Sequence, residues 1–263
     1  MQLYRYLPLG RSAVDVSNIR TYPGNETPTR GIVASLWRYP VKSMLGEQCA
    51  SLDVHPRGVV GDRLFAIRDS HGKFGSGKST RRFRQIDGLF ELRAIYDDEV
   101  PVIRFPDGRT MRGDHPDIHT ALSHTLGQPV TLVREASTSH LDAGPVHLLT
   151  TASLAWLRTV LPEANADARR FRPNLVIDVP GATQVERSWL GKMLCVGDAV
   201  KLRVNAATER CGMVAFAQAD LPYDARVLRC ITQEAGLHFG VYAEVLVPAR
   251  ITCGDSVTVV DEG

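Results

Sequence analysis

From Gly31 onward the chain is cut into short strand-forming runs by turns that no helix could cross, and this texture excludes most architectures at once. Runs rich in β-branched and aromatic residues cover 32–39, 47–54, 63–68, 90–96 and 102–105, and again 174–179, 193–196, 199–204, 240–247 and 256–260. Between them, Asp69-Ser70-His71-Gly72, Pro106-Asp107-Gly108, Gly197-Asp198 and Gly254-Asp255 place glycine or aspartate where the backbone reverses. Apolar residues recur three or four apart at Ile118, Leu122 and Leu126, then at Leu154, Leu157 and Leu161, which predict short helices. A regularly alternating parallel α/β sheet is therefore excluded, and an α+β, mainly β, barrel-like fold is expected.

The composition sets the class of molecule. With 44% hydrophobic and 23% charged residues, the chain has enough apolar side chains for a substantial core. A formal net charge of +2 gives no general attraction to nucleic acid or an anionic membrane, so any anion site must be local. No apolar run approaches the roughly 20 residues needed to span a bilayer, and the N-terminus lacks a signal-peptide layout, so a cytoplasmic location is expected. Residues 1–30 carry Pro8, Pro23, Pro28, Gly10 and Gly24 without sustained periodicity and read as a leading arm. Cys49, Cys195, Cys211, Cys230 and Cys253 are odd in number and never spaced C-x-x-C, which favours free thiols over disulfides or zinc.

One motif is tempting. Gly72-Lys73-Phe74-Gly75-Ser76-Gly77-Lys78-Ser79 satisfies the phosphate-loop pattern of nucleotide hydrolases, and Leu175-Val176-Ile177-Asp178 can pose as its magnesium-holding strand. The context opposes it, because Thr80-Arg81-Arg82-Phe83-Arg84 follows where an apolar helix should begin. A flexible hairpin, or a basic loop that holds some other phosphate, are the alternatives to an NTPase.

Four separated segments offer cations or hydroxyls beside turns or strand ends: Tyr39-Pro40-Val41-Lys42-Ser43, Ser76-Gly77-Lys78, Thr150-Thr151-Ala152-Ser153 and Arg170-Phe171-Arg172-Pro173-Asn174. Together they suit one anionic ligand. Separately, Thr150–Ser153 reads as a helix cap and the cations as ordinary surface residues. A fifth segment, Thr208-Glu209-Arg210-Cys211-Gly212, sets a cysteine after a cation that favours thiolate, the soft ligand a transition metal selects. A small buried apolar role is the alternative for such a cysteine.

These segments, followed by Leu221-Pro222-Tyr223-Asp224, Gly240-Val241-Tyr242-Ala243-Glu244 and Gly254-Asp255-Ser256-Val257, resemble in order the molybdenum cofactor sulfurase C-terminal (MOSC) family with its N-terminal β domain, as in the mitochondrial amidoxime reducing component. The likeness runs over about 32–260. It implies a MOSC N-terminal-like β-barrel domain over 31–130 packed against a barrel-like MOSC domain over 131–263. It further implies that Cys211 is the catalytic metal ligand to molybdenum, with Lys42, Ser43, Ser76, Lys78, Thr151, Ser153, Arg172 and Asn174 around a molybdenum-molybdopterin cofactor. Ser76 and Lys78 are the loosest of these, because the arginines after them blur the alignment.

The expected activity is reduction of a small N-hydroxylated or N-oxide-type substrate. The chain carries no haem, iron–sulfur or dinucleotide motif, so electrons are expected from a separate redox protein. The alternative is a carrier of persulfide sulfur or of the cofactor itself, which the apolar run Gly212-Met213-Val214-Ala215-Phe216 after the cysteine leaves open. His71, His147 and His238 read as solvated or structural residues.

Overall fold

The computed structural model describes residues 30–261, so the leading arm read from the sequence lies, except for Arg30, outside the described residues. Seven strands close on themselves in the order Leu175–Asp178, Val146–Thr150, His238–Val247, Val200–Glu209, Met193–Val196, Ser256–Val260 and Arg30–Arg38, the last pairing back onto the first. Closure leaves the barrel strands without free edges. The short strand Glu47–Cys49 pairs with the end of Arg30–Arg38, at Leu36, Trp37 and Arg38. Alternate side chains point inward, and Leu36, Leu148, Leu175, Ile177, Leu194, Leu202, Val204 and Val241 are buried in the barrel core.

The one parallel pair in the ring, Val146–Thr150 with Leu175–Asp178, needs a crossover connection, and helix α2 (Thr151–Val160) lies within it. Thr150 caps that helix, its hydroxyl accepting from Ser153 N at 3.1 Å.

A second layer packs beside the barrel. Val130–Arg134, Phe65–Asp69, Phe74–Ser76 and Phe83–Gln85 form one sheet, and Arg93–Asp97, Val100–Arg104 and Thr110–Arg112 another. Helix α1 (Ile118–Thr125) shares with them a core of Ile67, Leu92, Ile103, Ile118 and Leu122. The two layers interleave along the chain: Arg30–Arg38 belongs to a ring otherwise built from residues beyond Val146, while Val130–Arg134 pairs with Phe65–Asp69.

The structure departs from sequence expectation in several places, and the strands Val130–Arg134 and Val146–Thr150 were not read from the sequence. The predicted run 47–54 is split at Ala50, and the run 90–96 opens with a 3-10 turn at Leu89–Glu91. Helix α3 (Ala225–Ala235) was not anticipated from the sequence, although Val227, Cys230, Ile231 and Ala235 line one face, Asp224 accepts from Arg226 N and Gly236 ends it at φ 60°. The phosphate-loop lookalike is a strand and turn: Phe74–Ser76 pairs with Phe83–Gln85, and no helix follows Ser79. Without that helix N-terminus the NTPase reading falls.

Candidate functional site

A cavity of about 420 Å³ opens where the barrel meets the second layer. Its wall draws Lys42, Ser43, Arg63 and Lys78 from the first half of the chain, Asp142 from the segment before the strand Val146–Thr150, and Arg170, Arg172, Asn174, Glu209, Arg210, Cys211 and Tyr242 from barrel strands and the segments joining them. Six cationic side chains thus face two carboxylates, a surplus of positive charge around an enclosed space. Such a surplus destabilises an empty pocket and favours an anionic ligand.

Two arginines are held by carbonyls rather than by carboxylates. Arg210 donates from Nε to Phe239 O at 2.7 Å, from Nη1 to Phe171 O at 3.1 Å, and from Nη2 to His147 Nε2 at 2.6 Å. Because a guanidinium can only donate, His147 Nε2 is an acceptor, and its Nδ1–H points at Arg172 O, 3.3 Å away. Burial and the adjacent Arg210 hold His147 well below the ordinary imidazole range, so it is a neutral spacer. Gly240 makes room for this pair: at φ +81°, an added Cβ would lie 2.7 Å from His147 Nε2 and 2.7 Å from Leu148 O.

Arg172 sits in left-handed backbone, φ 54°, ending the 3-10 turn Ala168–Phe171. Its Nη1 donates to Met44 O at 2.8 Å, its guanidinium stacks 4.2 Å from the Tyr39 ring centre, and its Nη2 is buried without a partner. Burial, then Arg63, lowers its pKa to about 10, as burial lowers that of Arg210 to about 10. Arg63, also in left-handed backbone, is compensated by Asp62 beside it and donates to Arg172 O at 3.2 Å.

Lys42 is 2% exposed and donates to His140 O at 2.9 Å and to Asp142 Oδ1 at 2.6 Å, its ammonium 4.7 Å from the Phe83 ring centre. Burial pulls the Lys42 pKa down while Asp142 opposes it. Burial likewise works against ionisation of Asp142, but Lys42, with Arg63 and Lys78 further off, holds that carboxyl below the usual range. Cys211 is half-buried and precedes the 3-10 turn Gly212–Ala215, whose Met213 and Val214 also line the cavity.

Of the residues singled out in the sequence, Lys42, Ser43, Lys78, Arg172, Asn174 and Cys211 converge on this cavity. Asn174 braces the wall, its Oδ1 accepting from His147 N at 3.1 Å and its Nδ2 donating to Trp37 O at 3.3 Å. Ser76 lies beneath, buried, with its hydroxyl 3.9 Å from Met213 Sδ. Gly77 permits that packing, since an added Cβ would meet Phe216 at 2.6 Å and Met213 at 2.8 Å.

Thr151 and Ser153 do not line the cavity. Thr151 donates to Asp178 Oδ1 at 2.7 Å, and Ser153 donates to buried Glu186 at 2.6 Å, a carboxylate that also accepts from Thr150 at 2.7 Å. Sequence reading missed Arg63, Asp142 and Tyr242 as wall residues and took His147 as structural, a role its hydrogen bonds fit. Arg210 was read as an activator of Cys211, yet its donors are spent on carbonyls and His147.

Among the described residues, no cluster of three or more histidine, cysteine or acidic side chains could hold a metal alone, and no helix is long and apolar enough to cross a membrane. A lone thiol within a cationic wall fits a metal that brings most of its own ligands together with an anionic group.

The family comparisons agree with this architecture. The MOSC domain model matches residues 124–258 and the MOSC N-terminal beta barrel domain model matches residues 30–159. Among solved structures, the YUAD protein from Bacillus subtilis superposes with a TM-score of 0.52 at 11% identity, covering 89% of this chain and 97% of that one. YiiM from Escherichia coli aligns at a TM-score of 0.44 and 12% identity over 90% of this chain and 72% of that one. At these identities the likeness to YUAD carries the fold alone, and no curated protein matches the chain. The closed barrel, its paired β layer and the two domain matches together make the chain a member of the MOSC domain family, whose proteins bind the molybdenum cofactor or act in sulfur transfer.

Proposed function

We propose that the cavity holds a molybdenum-molybdopterin cofactor, with Cys211 as the protein ligand to the metal, and that the protein reduces N-hydroxylated or N-oxide-type compounds with electrons from a separate redox protein. The observation that carries this reading is a single half-buried thiol in a wall of six cationic and two acidic side chains. Lys42, Lys78 and Arg172 would neutralise the anionic part of the cofactor, Lys42 and Lys78 as point charges and Arg172 through Nη2, the nitrogen not bonded to Met44 O. Ser43 and Asn174 complete the polar wall, and Ser76 packs beneath it against Met213 of the turn that follows Cys211. When bound, the cofactor supplies two-electron oxygen-atom chemistry.

The remaining residues set the surroundings of that chemistry. His147 is not the proton donor, because both ring nitrogens are engaged and it stays neutral. Asp142, whose side chain is 44% exposed, stands between solvent and the cavity as the counter-charge of Lys42. Met213 and Val214 exclude water beside Cys211.

That apolar shelter favours a second reading, in which Cys211 carries persulfide sulfur to an acceptor. The test is turnover of a benzamidoxime by protein purified from a host that makes the cofactor, with reduced viologen as donor. The reductase reading expects turnover that disappears in Cys211→Ala. Persulfide on Cys211 in molybdenum-loaded protein that turns nothing over would overturn it in favour of the carrier.

A further inference from the structure

The cationic wall carries an anion of its own, Asp142, and that anion sits on a strap rather than on a strand. Residues 136–145 join the strand Val130–Arg134 to the strand Val146–Thr150 without forming an element. The strap is pinned at both ends. At its start, Glu135 accepts from Arg57 at 2.7 and 2.8 Å and from His140 N at 2.5 Å, while the buried His140 ring packs edge-on against Phe74. At its end, Gly144 lies against Tyr242, where an added Cβ would fall 2.7 Å from that side chain. Between these pins, no backbone hydrogen bond among the described residues involves Asp142 or Ala143.

One side chain holds the middle of the strap. Lys42 Nζ donates to His140 O at 2.9 Å and to Asp142 Oδ1 at 2.6 Å. The two partners are unequally fixed: Lys42 is 2% exposed and its backbone N is bonded to Phe65 O at 2.8 Å, whereas the Asp142 side chain is 44% exposed. Solvent can take up the carboxylate at little cost, but the buried ammonium cannot be left without a counter-charge. The Asp142 charge also reaches Arg63, Arg172 and Tyr242 across the wall. A second anion at Lys42 would therefore meet a like charge within contact distance, and like charges that close exclude each other.

We propose that Asp142 is a displaceable latch: it occupies the Lys42 ammonium as an internal anion, and an anionic ligand enters the cavity by taking that ammonium and releasing the carboxylate to solvent. Lys42 stays paired in both arrangements, which makes the exchange a two-state element that the ligand biases. The latch lowers the affinity of the cavity for anions, because every binding event must first free Lys42. This inference rests on reading the cavity as an anion site and not on molybdenum or Cys211.

Inorganic phosphate is the probe, titrated calorimetrically at neutral pH into the full chain produced in a host that does not make the cofactor. Asp142→Asn keeps the shape of the side chain and removes its charge, and it should bind phosphate about tenfold more tightly than the wild type. Lys42→Met should lose the binding. Crystals of the wild type grown in phosphate should show the ion on Lys42 Nζ with the Asp142 carboxylate turned out to solvent, a result that decides the matter if Asp142→Asn does not fold. Equal or weaker binding by Asp142→Asn, binding that survives Lys42→Met, phosphate and Asp142 together on Lys42, or no binding by any of the proteins would each overturn the latch. None of these outcomes bears on molybdenum in protein made with the cofactor, so the latch and the cofactor reading fail separately.

Discussion

Two buried polar clusters sit on opposite sides of the strand Val146–Thr150, and they solve the same problem in opposite ways. At the start of α2, the Glu186 carboxylate is 0% exposed, but Thr150 and Ser153 donate to both of its oxygens at 2.6–2.7 Å. In the cavity, Arg172 and Arg210 are also buried, yet neither has a carboxylate partner among the described residues, and Arg172 keeps an unused donor. The first cluster is closed on itself and stabilises the fold. The second is left open, as expected of groups kept for a ligand.

The contrast explains how far the sequence could be read. Most of the barrel was legible because strands such as Met193–Val196 alternate and turns use Gly-Asp pairs, as at Gly197-Asp198 and Gly254-Asp255, whereas Val146–Thr150, buried at every residue, was not read. Lys42, Arg172 and Cys211 were legible through their order in the chain. Thr151 and Ser153 carried the right hydroxyls, but local sequence does not reveal Glu186, 33 residues beyond Ser153, which claims one of them. Arg63 and His147 were hidden for a related reason: each is defined by partners contributed from a distant segment, Arg172 O for both and Arg210 for His147. Helix α3 was missed although Val227, Ile231 and Ala235 recur four apart, because the charged residues between them make the segment polar as a whole.

Substitutions should separate the two clusters. The largest effect is expected for Gly240→Ala, which combines left-handed backbone with a Cβ 2.7 Å from Leu148 O and His147 Nε2. A loss of about 2–5 kcal/mol in urea unfolding is expected, whereas a loss below about 0.5 kcal/mol would show that the His147–Arg210 pair can yield.

Next, Ser153→Ala should cost about 1–3 kcal/mol by leaving a Glu186 oxygen short of a donor, with cofactor content unchanged. Arg172→Met should do the reverse, changing stability by about 1 kcal/mol or less while depleting bound pterin. Equal cofactor loss in both variants would erase the distinction between closed and open clusters.

The smallest effect concerns pH. Burial raises the Glu186 pKa above its ordinary 4.5, against the opposing hydroxyl bonds, so the folded state binds this proton more tightly than the unfolded state does. Its contribution to stability is therefore fully present below pH 4.5 and is lost as pH rises from there through the folded-state value. Glu186→Gln should remove that decline, and the urea midpoints of variant and wild type should diverge as pH rises above 4.5. Parallel curves would mean that the carboxylate titrates as it does in the unfolded chain.

The central claim is that Cys211 binds the metal of a molybdenum cofactor in a cavity built for an anion. Elemental analysis of molybdenum in freshly purified wild type and Cys211→Ala, both from a host that makes the cofactor, tests it most directly. Near-stoichiometric molybdenum in the wild type and its depletion in the variant, with both proteins folded, is the predicted result. Molybdenum absent from the wild type, or undiminished in Cys211→Ala, would contradict it.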